Sequence, residues 1–91
     1  MKKKTGIELI AEERQEQLTK HGRTIERDIE ENPMGELMQG AIACLKGLEN
    51  NFPISWDNNF TQNVVRKPIE QRLIIAGALI AAEIDRLNNI K

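Results

Sequence analysis

The feature that most constrains the fold of this chain is an unbroken apolar run close to its C-terminal end. Residues 73–82 read LIIAGALIAA, with no charged or polar side chain among them. A helix with this sequence is apolar on every side, so every side has to be covered. The run is far shorter than the ~20 residues of a membrane span. It therefore predicts a helix at the centre of a small helical protein.

The helix that contains this run has clear limits in the sequence. Pro68 suits the first turn of a helix, Glu70 suits the positive end of its dipole, and the helical period continues to about Asn89. We expect this helix over residues 68–89. Its main packing stripe is expected to consist of Leu73, Ile80, Ile84 and Leu87.

A first helix is predicted by the segment Thr5-Gly6-Ile7-Glu8. This is a capping box, in which the threonine hydroxyl and the glutamate carboxylate each accept a hydrogen bond from a free backbone N–H of the first turn. Gly22 can take the left-handed conformation that ends a helix. We expect the helix over 6–21, after a basic tail over 1–5.

A second helix is indicated by Asn32-Pro33, since Asn caps helices well and Pro is tolerated at the first helical position. Apolar residues then recur at steps of three and four from Met34 to Leu48, which predicts a helix over 33–49. The acidic residues 23–33 before it contain few large hydrophobic side chains. We expect a loop there, with one helical turn.

These elements predict an all-α fold, a small three-helix bundle that forms one domain over 1–91. A chain of 91 residues has room for one hydrophobic core. Two amphipathic helices can cover two sides of the helix over 68–89, and a second copy of the chain is expected to cover the remaining side. The sequence therefore predicts a homo-oligomer, a homodimer in its simplest form, that associates through helix 68–89.

All three aromatic residues lie in the long connection between the second and third helices. Phe52, Trp56 and Phe60 are spread through an Asn-rich stretch over 50–67. Connections of this length are often functional. One interpretation is a loop pinned by aromatic side chains over the open end of the bundle. The other is a binding surface, for which Trp56 and Phe60 are the candidate residues.

Charge and cysteine content limit the partners and the compartment. Thirteen Lys and Arg against fourteen Asp and Glu give a net charge of −1, which makes a nucleic-acid partner unlikely because phosphate neutralisation dominates such binding. Cys44 is the only cysteine, so no disulfide forms within one chain. No apolar targeting segment follows Lys2, Lys3 and Lys4. We expect a cytoplasmic protein with no membrane contact.

No catalytic motif is present in the chain. It has no phosphate-binding glycine loop, no nucleophile elbow and no metal-type cysteine spacing, and Cys44 falls on an apolar stripe away from the single His21. Charged residues do interrupt the apolar stripes at Arg14, Glu36 and Arg86, where they can form interhelical ion pairs with Glu83 or bind a ligand. Arg14, Glu36 and Arg86 therefore join Trp56 and Phe60 as candidate binding residues.

Carboxylates on the predicted helices offer an alternative chemistry. Glu12, Glu13 and Glu16 share the first helix, Glu36 opens the second and Glu83 lies late in the third. Facing carboxylates can hold Mg²⁺, which prefers hard oxygen ligands and can bridge to the phosphates of a nucleotide. The other interpretation is a solvated charged face with ordinary ion pairs.

Short segments along most of the chain carry a family resemblance. They are Glu12-Glu13-Arg14-Gln15, Lys20-His21-Gly22-Arg23-Thr24, Gly35-Glu36-Leu37, Trp56 and Arg72–Leu87. Over them the chain resembles small uncharacterised α-helical proteins encoded by bacteriophages, prophages and mobile elements. Those proteins often carry Gly-Trp-Thr where this chain has Gly22-Arg23-Thr24. The resemblance implies a genomic setting and no mechanism.

A second resemblance concerns the carboxylates. Glu13-Arg14-Gln15-Glu16 has the Glu-x-x-Glu spacing of the all-α MazG-type nucleoside triphosphate pyrophosphohydrolases, but no Glu-x-x-Asp pair follows, and Glu83-Ile84-Asp85 has a different spacing. We therefore expect a non-catalytic intracellular interaction or accessory protein of phage or mobile-element origin, with a host or phage protein as a further partner. The alternative is a Mg²⁺-dependent pyrophosphohydrolase; the leading interpretation needs no cofactor.

Overall fold

The fold is all-α, as the sequence predicts, but it contains five α-helices in place of three. The computed structural model describes residues 3–90 and has no β-strand within them. The helices are α1 (Gly6–Thr19), α2 (Ile25–Glu31), α3 (Glu36–Lys46), α4 (Asn58–Val65) and α5 (Ile69–Asn88), with a 3₁₀ turn over Glu49–Asn51.

The long helix α5 is the central element, since α1, α2 and α3 all pack against it. α3 and α5 run antiparallel: Arg72, at the start of α5, donates hydrogen bonds to the carbonyl oxygens of Cys44 and Leu45 at the end of α3. Small residues fill the contact between helices, as Ala43, Ala76 and other alanines are almost completely buried. The core consists of Leu37, Ala41, Ala43, Cys44, Phe52, Trp56, Val64, Ile75, Ala76, Leu79 and Ala82.

Helix α1 begins where the capping box predicts. The Thr5 side chain accepts from the Glu8 backbone N–H, and the Glu8 carboxylate accepts from the Thr5 N–H at 2.9 Å. The helix ends at Thr19, two residues earlier than expected, and Gly22 follows with a φ of 62°. In the basic segment before α1, Lys4 pairs with Glu12 at 2.5 Å, while Lys2 lies outside the described residues.

Two expectations for residues 23–49 are wrong. Thr24 caps a two-turn helix, α2, where a loop with one helical turn was expected, and Asn32 ends that helix instead of starting the next. The Asn32 side chain is held by hydrogen bonds to α2 and to Trp56, so it is not free to cap. α3 begins only at Glu36, after Gly35 with a φ of 87°, and ends at Lys46 because Gly47 takes a φ of 68°.

The connection over 50–67 is also more ordered than expected. It contains α4, which begins where the Asp57 side chain accepts a hydrogen bond from the Asn59 N–H at 2.9 Å. Val64 of α4 is buried and Phe60 is partly buried against the core. Phe60 and Val64 are four residues apart, and their packing against the core stabilises this short helix despite the asparagines, which have low helix propensity.

Helix α5 matches its predicted range, but the face it buries is not the predicted one. Its buried face contains three alanines, Ala76, Ala78 and Ala82, beside Ile75, Leu79 and Arg86, and the alanines let neighbouring helices approach closely. At Gly77, an added Cβ would lie 2.6 Å from Cδ1 of Ile10 on α1. The four residues expected to pack, Leu73, Ile80, Ile84 and Leu87, are each about half exposed. Among the described helices, none combines the length and apolar character that crossing a membrane requires.

Candidate functional site

The three aromatic residues form one cluster at the end of the core. The ring centroids of Phe52 and Trp56 are 5.9 Å apart, and those of Trp56 and Phe60 are also 5.9 Å apart, with the second pair edge to face. Phe52 and Trp56 are buried. The indole packs over Gly40 of α3, where an added Cβ would overlap Cη2 and Cζ3 of the ring. The aromatic cluster thus packs against α3 and the core.

Arg23 covers the outer side of the aromatic cluster. Its guanidinium carbon lies 4.8 Å from the Trp56 ring centroid and 5.1 Å from the Phe60 centroid, which is the distance of a cation–π contact. Burial lowers the pKa of Arg23 from its ordinary value, although the nearby Asp28 carboxylate opposes that effect. The Arg23 backbone carbonyl oxygen accepts a hydrogen bond from Nη1 of Arg14.

A chain of hydrogen bonds links Trp56 to α2. The indole Nε1–H donates to Oδ1 of Asn32 at 2.9 Å, and Nδ2 of Asn32 donates to Oδ1 of Asp28 at 3.1 Å. Asp28 is only 2% exposed, and its Oδ2 has no hydrogen-bond partner among the described residues. Burial raises the pKa of Asp28 from its ordinary value, against the opposing effects of the Asn32 hydrogen bond and of Arg14 and Arg23.

Arg14 of α1 connects this region to α5. Its Nη1 donates to the Arg23 carbonyl oxygen at 3.3 Å, and its Nη2 pairs with Oδ2 of Asp85 at 3.3 Å. Arg14 is 8% exposed, and among residues 3–90 neither its Nε nor Oε1 of the buried Gln17 has a hydrogen-bond partner. Three buried polar atoms without partners therefore belong to Arg14, Gln17 and Asp28. Such atoms are uncommon in folded proteins because each costs free energy.

A cleft of about 410 Å³ opens beside this network, between α2 and residues 55–57. Arg23, Asp28 and Trp56 contribute to its wall, together with other positively and negatively charged side chains. We call it the α2 cleft. Arg27 and Glu31 form a double hydrogen bond at its edge, with Nε to Oε2 at 2.6 Å and Nη2 to Oε1 at 3.2 Å.

The structure brings together three of the five predicted binding residues. Trp56, Phe60 and Arg14 all surround Arg23, whereas Glu36 and Arg86 have other partners. Glu36 accepts from the Met34 backbone N–H at 2.6 Å. Arg86 pairs with Glu83 of its own helix, with the shortest contact at 2.7 Å. Arg86 therefore forms its ion pair within α5, whereas Arg14 does form an interhelical pair, with Asp85 of α5.

The carboxylates of α1 lie at a second cleft of about 460 Å³, between α1, α4 and α5. Glu12, Glu13 and Glu16 line its rim, and Phe60 and Val64 contribute to its floor. Burial raises the pKa of Glu13, and the charge of Glu16 adds to that effect.

The other two carboxylates of the metal hypothesis, Glu36 and Glu83, have the partners given above. Within residues 3–90, no group of three or more His, Cys, Asp or Glu side chains is placed to hold a metal ion. Cys44 is fully buried, and burial raises the pKa of its thiol to about 11, so the thiolate needed for nucleophilic chemistry does not form near neutral pH.

Sequence reasoning missed the residues at the centre of this site, Arg23, Asp28 and Asn32. Asn32 was interpreted as a helix start, and Asp28 as part of an acidic loop. One local signal was available: Thr24 followed by Asp28 on the next turn is compatible with a capped helix.

A separate feature is an apolar surface on the outer side of α3 and α5. On α5 it includes Leu73 (50% exposed), Ile80 (46%), Ile84 (53%) and Leu87 (48%), and on α3 it includes Met38 (56%), Ile42 (45%) and Leu45 (43%). Arg72, at the start of α5, donates to the Leu45 carbonyl oxygen, so the C-terminal end of the α3 stripe lies near the start of α5. We call these seven residues the outer apolar face.

Comparisons with known proteins add no relative. No protein-family model, no curated protein and no solved structure matches the chain.

Proposed function

We propose that the protein is a non-catalytic interaction protein that works as a homodimer, with the outer apolar face as the dimer interface. The observation that carries the proposal is the half-exposed stripe of large aliphatic side chains on α5, on a helix whose inner face is already packed. Isolated exposed hydrophobic residues are ordinary on protein surfaces, whereas a contiguous set is typical of an interaction site.

The size of the face fits a second copy of the chain. Seven half-exposed aliphatic side chains present apolar surface on the order of 500 Å². Homodimer interfaces are about 65% apolar, so this apolar area corresponds to an interface of about 800 Å² per partner once its polar rim is added. That is the size of a standard stable interface.

Charge also favours a second copy. None of the seven residues is charged, and the chain as a whole has a net charge of −1, so two copies approach without strong repulsion. From Leu73 to Leu87 the stripe extends about 21 Å along α5, at 1.5 Å per residue. Two such stripes can pack along their length with side chains interlocking as in other helix pairs.

The experiment is sedimentation velocity on the wild-type chain and two matched variants. Ile80→Glu places a carboxylate on the outer apolar face, while Ile54→Glu makes the same change at a residue of the 52–57 segment that is 102% exposed. We expect a dimer for the wild type and for Ile54→Glu, and a monomer for Ile80→Glu. Far-UV circular dichroism of each variant verifies that the helices are retained.

Two results would contradict the proposal. One is a wild-type chain that remains monomeric at high micromolar concentration. The other is equal dissociation of the dimer by both substitutions, because the interface would then not depend on α5.

The setting of this function is part of the same proposal. We infer an accessory role in the cytoplasm for a phage or other mobile element, supported by the resemblance of the segments around Gly22, Gly35 and residues 72–87 and by the lone, buried Cys44. Phage or integrase genes beside its gene and recovery in the cytosolic fraction are the expected results. A neighbourhood of ordinary metabolic genes would contradict the mobile-element origin.

A further inference from the structure

The sulfur-containing residues of the chain differ in their access to solvent. Cys44 is fully buried, and burial raises the pKa of its thiol to about 11, so the thiolate that oxidants attack is scarce near neutral pH. Met34 and Met38 are 86% and 56% exposed. The third methionine, Met1, lies outside the described residues. Among residues 3–90, an oxidant in the solvent therefore reaches methionine and not cysteine.

The two exposed methionines have different surroundings. Met38 belongs to α3 and to the outer apolar face, and Ile42, one helical turn later, is also about half exposed. Met34 precedes α3 and is not one of the seven residues of that face. A cleft of about 400 Å³ opens beside Met38, with Ile42, Asn50 and Asn51 in its wall. Met38 thus lies where apolar side chains and amide side chains meet.

Oxidation changes the environment that this side chain prefers. A methionine side chain is flexible and apolar, whereas its sulfoxide is polar. In a separated copy of the chain, the sulfoxide oxygen of Met38 stays in water, next to a cleft whose wall includes amide side chains. In the proposed dimer it is enclosed among apolar side chains, where a polar group without a partner is costly. Oxidation of Met38 therefore favours separated copies.

We propose that Met38 is a regulatory oxidation site, at which a peroxide forms methionine sulfoxide and thereby separates the dimer. This role rests on the proposed function, because it gives the same outer apolar face a means of control. In the reaction, Sδ of Met38 attacks one oxygen of hydrogen peroxide, the O–O bond breaks as the S–O bond forms, and the other oxygen leaves as water with both protons. The sulfur loses two electrons and the peroxide gains them.

Sedimentation velocity on the full chain, before and after treatment with hydrogen peroxide, measures the effect. The wild type is compared with Met38→Leu, which keeps an apolar side chain of similar size but cannot form a sulfoxide. Met34→Leu is the matched control, since it removes the other exposed methionine and leaves Met38 in place. Peptide mass spectrometry detects the oxygen gained at each methionine, and far-UV circular dichroism verifies that the helices are retained.

We expect all three untreated proteins to be dimers. Peroxide should raise the dimer Kd of the wild type and of Met34→Leu by roughly tenfold or more, because each dimer then encloses two sulfoxides, and should leave that of Met38→Leu nearly unchanged. Methionine sulfoxide reductases that act on both epimers should restore the wild-type dimer. Met38 should also be oxidised more slowly in a concentrated sample than in a dilute one, whereas the rate at Met34 stays constant.

Four results would overturn this role. They are an unchanged Kd after Met38 has gained oxygen, an equal loss of affinity in Met38→Leu and the wild type, dissociation that persists after the sulfoxide has been reduced, and no oxygen at Met38 under conditions that oxidise Met34. A wild type that is monomeric before treatment contradicts the proposed dimer and this role with it. An untreated dimer that survives oxidation of Met38 contradicts this role alone.

Discussion

The aromatic cluster with the polar residues around it and the outer apolar face differ in which side chains they bury. Around Trp56, charged and polar residues such as Arg14, Asp28 and Asn32 are buried. On α5, large aliphatic residues such as Ile80 and Ile84 remain half exposed. The same chain thus buries polar groups in one region and exposes large apolar groups in the other.

The difference shows what each region requires. A buried polar network is tolerated only when its geometry is fixed, and here Trp56, Asn32 and Asp28 fix one another through hydrogen bonds. The exposed aliphatic residues have no such internal role in one copy of the chain. The first region should therefore be sensitive to substitution within the monomer, and the second only in association.

The largest expected effect is that of Trp56→Ala. The substitution removes a buried ring that contacts Phe52, Phe60 and Arg23, and it also leaves Asn32 without its donor. We expect a loss of about 3–5 kcal/mol in the free energy of unfolding, measured by urea denaturation followed by circular dichroism.

The control for this prediction is Ile54→Ala, two residues away at a fully exposed position. We expect it to change the free energy of unfolding by no more than about 0.5 kcal/mol. Similar unfolding midpoints for the two variants would mean that the aromatic cluster does not hold the fold together.

A second prediction concerns the contact between α3 and the indole. Gly40→Ala adds a Cβ where the Trp56 ring already lies, so we expect a loss of about 1–3 kcal/mol even though Ala favours helix. Gly6→Ala meets no atom within 4 Å and should be neutral or slightly stabilising. Thermal unfolding of both variants decides the question, and a stabilised Gly40→Ala would show that the indole can move away.

A third prediction concerns Asp28 and pH. Burial holds the pKa of the folded carboxyl above its ordinary value of 3.8, so the folded state binds this proton more tightly than the unfolded state does. The contribution of Asp28 to the free energy of unfolding is therefore lowest above its folded-state pKa. This contribution falls as the pH rises from the unfolded-state pKa through the folded-state pKa. We expect Asp28→Asn to gain about 1 kcal/mol over the wild type at pH 7 and less at pH 3.

Urea denaturation at pH 3, 5 and 7 measures this difference. The comparison uses the difference between variant and wild type, in which the titration of other carboxyl groups cancels. A difference that stays the same at all three pH values would mean that Asp28 ionises equally well in the folded and unfolded states.

The smallest expected effect lies on the outer apolar face. Ile84→Ala should change the free energy of unfolding of the monomer by no more than about 0.5–1 kcal/mol, since the side chain is half exposed. Ile75→Ala, on the buried side of the same helix, should cost about 2–5 kcal/mol. Unfolding followed by Trp56 fluorescence at nanomolar concentration measures both; equal losses would place Ile84 in the core.

Local signals in the sequence were sufficient to predict the start of the first helix and both ends of the last one. The capping box at Thr5 and Glu8 fixes the start of α1, and Pro68 together with the helical period to about Asn89 fixes α5 to within about one residue at each end. These signals act within a few residues of one another, so a single sequence contains them fully.

The centre of the chain depends on contacts that a single sequence does not show. α2 and α4 have seven and eight residues, and helices this short form only when they pack on other elements. Asn32 is compatible with either end of a helix, and its bond to Trp56, 24 residues away, decides between them. The inward face of α5 is likewise decided by how closely α1 and α3 approach it.

The most direct test of the account is a methyl NMR dilution series of the wild-type chain, from high micromolar to low micromolar concentration. We predict that the methyl signals of Leu73, Ile80, Ile84 and Leu87 shift together as the dimer separates, while those of Ile54 and the buried Ile75 change little. Signals that stay constant at all concentrations, or shifts centred on Ile54, would contradict the claim that the outer apolar face is an interface.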